Sequence, residues 1–151
     1  MSVIVLLDAG PLGMVTNPKS SPENEHCRNW LATLVYKGTQ VVIPEIADYE
    51  VRRELLRADK IQGLARLDAL KAMLAYAPIT TPVMVKAAEF WAAARKSGRQ
   101  SAADAGLDAD MILAAHASEL CRSGDDDAII ATTNVRHLGL FAAARSWHDI
   151  A

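Results

Sequence analysis

Val3-Ile4-Val5-Leu6-Leu7-Asp8-Ala9-Gly10-Pro11 decides the fold. Five apolar residues run without interruption and stop at an aspartate. A strand with water on one face would alternate apolar and polar residues. An unbroken, β-branched run reads instead as a strand buried on both faces, the mark of a parallel sheet. Asp8 to Pro11 reads as the turn that ends it.

A helix and a second strand follow. Cys27, Trp30, Leu31, Leu34 and Val35 form one stripe, which predicts a helix over 22–37. Gly38 supplies its stop, and 40–43 reads as the next strand. Together these make a βαβ unit. Pro44 suits the first position of a third helix, running to about residue 58. Helical periodicity continues over 61–74 and 82–95, with 76–80 a short strand or an extended link. Residues 97–107 are small and polar and read as a mobile loop, with basic residues at its edge, placed to close over a substrate phosphate. A helix over 108–122, a strand over 128–131, a short helix over 135–140 and a final strand over 145–150 complete the chain. Strands alternate with helices, so the class is α/β, a central parallel sheet covered by helices.

Composition narrows the function. The 151 residues suit one domain, and 51% hydrophobic with 23% charged residues fits a globular chain. The net charge of −2 argues against a dedicated duplex-DNA binder and leaves nucleic acid open as a transient substrate. Cys27 and Cys121 form no CxxC pair, so they read as small core hydrophobes in a reducing compartment. The longest uncharged stretch, 72–85, is interrupted by Pro78 and Pro82, and no membrane span is expected. The first apolar run lacks a basic flank and is cut short by Asp8, so a cytoplasmic protein is expected.

The acids carry the remaining information. Asp8 follows a buried strand, and ligands of open α/β sheets sit beyond such strand ends. Position alone balances that role against an Asx-turn role. Glu50 borders the Ala47, Val51 and Leu55 stripe, where a carboxylate is costly unless paired. Arg53 and Arg57 are its ordinary partners. Glu45 and Asp48 complement the helix dipole. Asp108 suits an N-cap and Asp110 a first turn. The run Asp125-Asp126-Asp127 reads as a solvated turn. Thr132, Thr133 and Asn134 follow the strand over 128–131, again at a carboxyl end. If the first and fourth strands lie side by side, Asp8, Asp110 and Asn134 converge, with Glu50 and Asp108 as further candidates. Like charges so gathered need a proton or a cation. An all-oxygen donor set selects Mg²⁺ or Mn²⁺ over Zn²⁺.

Four stretches carry a resemblance. VIVLLDAGPLG, VVIPEIADYEVRREL, LDADMILAAHA and IIATTNVRHL, in that order, resemble the PIN domain family, and more narrowly its VapC-like toxins of toxin–antitoxin pairs. The resemblance implies a single PIN-like domain over 1–151 and a metal-dependent endoribonuclease leaving 5′-phosphate and 3′-hydroxyl ends. It assigns the metal-binding acids to Asp8, Glu50 and Asp110, with Asp108 as a further ligand and Thr132 and Asn134 in the closing turn. It implies an RNA substrate, a cognate antitoxin partner and a homodimer. Ala9 stands where many members carry a hydroxyl residue, Asn134 where many carry a fourth acid, and His137 where a later aspartate is common. Those departures keep an alternative open, a catalytically weak PIN-like protein that binds RNA or a partner. Another phosphate-handling enzyme is disfavoured. Gly10 occupies the place where a haloacid-dehalogenase-type phosphatase needs its second aspartate, and no phosphate-loop glycine pattern occurs. Arg52, Arg53, Arg57, Arg95, Lys96, Arg99 and Arg136 are candidate phosphate contacts.

Overall fold

A computed structural model describes residues 2–97, 104–121, 126–135 and 138–151. Its five strands form one sheet in the order β3-β2-β1-β4-β5, with every neighbouring pair parallel. The strands are β1 (Ser2–Leu7), β2 (Gln40–Pro44), β3 (Ala75–Ala77), β4 (Asp126–Thr132) and β5 (Ala144–Ser146). The helices are α1 (Ala9–Thr16), α2 (Pro22–Tyr36), α3 (Glu45–Arg57), α4 (Ile61–Met73), α5 (Thr81–Lys96) and α6 (Asp104–Leu120).

β1 lies at the centre and sends its residues to two cores. Val5 and Leu7 join Leu12 of α1, Leu31 and Leu34 of α2 and Val51 of α3 on one face. Ile4 and Leu6 join Leu113 and Ala117 of α6 on the other. Period-two alternation divides them, and helices on both faces explain the apolar run that opens the chain. A third cluster, with Val83, Ala87, Met111 and Ala115, joins α5 to α6.

Local chemistry sets the helix ends. The Ser21 hydroxyl accepts from the Asn24 N–H at 3.1 Å, and Pro22 takes the first position of α2. Gly38 closes that helix at φ 82°, while the Thr39 N–H reaches the Leu34 carbonyl at 3.0 Å. This left-handed closure needs a residue without Cβ.

Several boundaries differ from the sequence reading. Ala9–Thr16 is a helix, not only a turn; it is short, uniformly apolar and without helical periodicity. Pro11 falls in its first turn, where a missing N–H costs nothing. Pro44 ends β2 and caps α3 rather than opening it. α6 starts at Asp104, so 104–107 is helical rather than loop, and 98–103 lies outside the described residues. Asp126 and Asp127 belong to β4, opposite Ser2 and Val3, not to a solvated turn; Asp125 lies outside the described residues. The last strand stops at Ser146, and Trp147–Asp149 forms a 3-10 turn that drives the fully buried Trp147 into the core.

Candidate active site

The chain leaves β1 in one direction towards β2 and reaches β4 on the other side, which makes the β1–β4 seam a topological switch point. In an open parallel sheet the crevice at such a seam, beyond the carboxyl ends, is where ligands sit. Asp8 and Thr132 stand at its two lips. The Asp8 N–H extends the ladder to the Ala131 carbonyl at 3.0 Å. Its side chain then caps α1, one oxygen accepting from the Ala9 N–H at 2.7 Å. The other accepts from the Thr132 hydroxyl at 2.6 Å. Negative charge is favourable at this helix start, and the two bonds fix the carboxylate's plane.

Thr132 is fully buried and does not face solvent. Its hydroxyl gives its proton to Asp8 and accepts from the Asn134 N–H at 3.0 Å. It therefore orients Asp8 and shapes the turn that carries Asn134, which is exposed.

Glu50 reaches the same place from α3. Burial pushes its carboxyl above the ordinary range, the Asp8 carboxylate pushes it further, Arg53 pulls it back, and Asp110 adds to the rise. Asp8, Glu50 and Asp110 thus share one electrostatic site. Of the ordinary partners expected for Glu50, Arg57 is engaged elsewhere, with Glu54 at 2.9 Å.

Asp108 behaves differently. α6 begins four residues before it, so it is not an N-cap. Two residues along a helix is about a 200° rotation, and Asp108 is exposed beside Met84, Trp91 and Met111, in the groove between α5 and α6. The structure brings Asp8, Thr132, Glu50 and Asp110 together and leaves Asp108 outside.

Glu45 and Asp48 do more than complement a dipole. Glu45 accepts from the Ile79 N–H at 2.8 Å. Asp48 is buried, paired with Arg52 at 2.9 Å and bonded to the Tyr76 hydroxyl at 2.9 Å. They clamp β3 and α4 to α3. Among the candidate phosphate contacts, Arg52 is tied to Asp48 and Asp68, Arg53 lies over Tyr49, and Arg95 lies over Trp91. Arg99, Arg136 and His137 lie outside the described residues.

Gly10 is a site residue that sequence reasoning did not identify. A Cβ there would stand 2.7 Å from the Thr133 hydroxyl oxygen. Its bare backbone lets α1 close on the turn after β4, bringing both lips of the crevice together. Beside Glu50, a cleft of about 740 Å³ runs between α1, α3 and α4, with Lys19 and Lys60 on its walls and Val51 and Leu55 among its apolar lining.

The PIN domain family model matches residues 5–135, and the chain belongs to that family. Solved structures of the same fold include VapBC2 from Rickettsia felis bound to a DNA fragment from its promoter. That match has 18% identity, covers 95% of this chain and 98% of that one, and has a TM-score of 0.72. FitAcB from Neisseria gonorrhoeae matches at 19% identity, over 97% of this chain and 99% of that one, with a TM-score of 0.69. VapBC-1 from nontypeable Haemophilus influenzae matches at 16% identity over the same shares, also with a TM-score of 0.69. A comparison with curated proteins gave no match. No helix among the described residues is long and apolar enough to cross a membrane.

PIN domains are a nuclease family that generally uses divalent metal ions. The donor chemistry here fits one. Three carboxylates interact at the crevice, and burial first, then Asp8 and more weakly Asp110, push the Glu50 carboxyl above its ordinary range against the pull of Arg53. A cation among them would relieve that repulsion.

Proposed function

We propose that the protein is a metal-dependent endoribonuclease of VapC-like type, the toxin of a toxin–antitoxin pair. The observation that carries the reading is the meeting of Glu50 with the Asp8 and Asp110 carboxylates at the sheet's switch point, where burial and then those two charges push the Glu50 carboxyl upwards. These three residues would hold Mg²⁺ or Mn²⁺. Bound there, the ion would supply polarisation of a phosphate oxygen and a more acidic water.

The chain's own residues do the rest. Thr132 and the Ala9 N–H hold Asp8 in one orientation. Asn134 stands exposed at the lip, on the turn that the Thr132 hydroxyl shapes. Lys19 and Lys60 line the adjoining cleft and attract the RNA backbone. Asp108, outside the crevice, is left out of the ligand set.

The similarity to VapBC complexes supports an antitoxin partner, and a cytoplasmic location accords with that pairing. Exposed Ile61 and Met73 on α4, with Met84, Val85 and Trp91 on α5, support a homodimer.

The test is cleavage of a mixed-sequence RNA with Mn²⁺, comparing the wild type with Asp8→Asn. Cleavage by the wild type, lost in a folded Asp8→Asn, is expected. No cleavage by either, with RNA still bound, would favour a catalytically weak RNA-binding PIN protein, the reading that Asn134 in place of a fourth acid leaves open.

A further inference from the structure

We propose that Glu23, His26 and His148 form a second metal site, specific for a zinc-class transition-metal ion and separate from the carboxylate crevice. One atom from each, a carboxylate oxygen and two imidazole nitrogens, all lie within 4.8 Å of one another. None of these residues belongs to the crevice, and their chemistry is different. Two imidazoles with one carboxylate make a borderline-soft donor set, which selects Zn²⁺, Co²⁺ or Ni²⁺ over Mg²⁺.

The scaffold holds these groups in place from two directions. Glu23 and His26 are three residues apart on α2, so they share one helix face. His148 comes from the Trp147–Asp149 turn, and its ring stacks on buried Trp147 with centroids 3.8 Å apart. The His26 ring meets the edge of the same indole at 4.9 Å. One fully buried side chain thereby fixes both imidazoles.

His148 Nε2 already lies 2.8 Å from the Glu23 carboxylate. Its Nδ1 lies 3.1 Å from the Ser146 hydroxyl. With Nε2 on a metal, Nδ1 carries the proton and donates it to Ser146, the usual support for a metal-bound histidine.

The required movement is small. Tetrahedral ligands at about 2.0–2.1 Å from zinc stand about 3.3 Å apart. The Glu23–His148 contact of 2.8 Å would open slightly, and the widest pair, within 4.8 Å, would close by at most about 1.5 Å. All three residues are exposed, so the ion can enter directly and keeps water in its remaining position. The bound ion would tie the chain's last turn to the start of α2.

The experiment uses the full chain without a histidine tag, in an Asp8→Asn background that weakens the crevice as a competing site. Titration with Zn²⁺ by calorimetry is expected to give one equivalent bound. Co²⁺ is expected to give the visible absorption of a four- or five-coordinate ion. His26→Gln and His148→Gln are each expected to weaken Zn²⁺ binding at least tenfold, and Glu23→Gln severalfold. Zn²⁺ is also expected to raise the thermal midpoint of the parent but not of His148→Gln. Should His148→Gln fail to fold, His26→Gln and Glu23→Gln decide the matter. Binding unchanged in those variants, or no stoichiometric binding by the parent, overturns the proposal. Loss of ribonuclease activity in Asp8→Asn bears only on the crevice.

Discussion

Lowering the pH from 7.5 to 5 is expected to remove about 2 kcal/mol of stability through His116 alone. The side chain is 1% exposed, and its Nε2 has no hydrogen-bond partner among the described residues. Burial pushes its pKa from 6.5 down to about 4, while the Glu45 charge pulls weakly the other way. Between those values the unfolded chain binds the proton and the folded chain does not. Stability is therefore whole above about pH 6.5 and falls as the pH drops towards 4. At about 1.4 kcal/mol for each tenfold change in proton affinity, the full loss approaches about 3 kcal/mol, out of a total of about 5–15 kcal/mol for an ordinary domain. The comparison is His116→Leu, an apolar side chain of similar volume that cannot titrate. Urea unfolding of both chains at pH 7.5, 6 and 5, without divalent ions, gives the difference in stability at each pH. Carboxylates common to both chains cancel in that difference. The variant is expected to gain about 2 kcal/mol on the wild type between pH 7.5 and 5. Parallel curves would refute the argument, because an imidazole that charges in place cannot have been desolvated as described.

Other outcomes follow from the same geometry. Asp110→Ala is expected to abolish cleavage, while Asp108→Ala keeps most of it; equal losses in a gel assay would return Asp108 to the ligand set. Glu50→Gln is expected to raise the denaturation midpoint at pH 7 without divalent ions, because it removes the charge that burial, Asp8 and Asp110 oppose. Gly10→Ala is expected to cost about 1–3 kcal/mol and most of the activity, because the new methyl displaces Thr133 and opens the crevice. Light scattering at tens of micromolar is expected to give twice the monomer mass, and Trp91→Glu with Val85→Glu to halve it.

The sequence revealed strands more readily than helix boundaries, and the reason is physical. An unbroken apolar run such as 3–7 has few alternatives to a doubly covered strand, and β1 fills that role. α1 gave no amphipathic signal because the β1–α1 junction is buried on most sides, so periodicity had nothing to report. α6 began earlier than expected because Gly106 and neighbouring polar residues resemble a loop, yet Leu107 is buried against α5. Tertiary packing there outweighs local propensity. Among the candidate site residues, placement at strand ends pointed to Asp8 and Thr132. The opposite directions of Asp108 and Asp110 required only the helix phase, but the assumed N-cap put that phase in the wrong place.

One helix shows what separates a structural acid from a chemical one. Glu45, Asp48 and Glu50 all lie on α3, and composition treats them alike. Asp48 is surrounded by answers to its charge, with Arg52 at 2.9 Å, Lys71 at 3.6 Å and a tyrosine hydroxyl. Glu45 takes a backbone N–H that β-structure leaves unused. Both are satisfied within the fold, and an added cation would gain little from either. Glu50 faces two further carboxylates, and Arg53 offsets only part of their effect. A fold tolerates such an arrangement at the expense of its own stability, and the imbalance is relieved only by something from outside. The compensated acids therefore hold α3 against β3 and α4, while the one only partly compensated, at the crevice where the strand order reverses, is the acid we propose to help hold a cation.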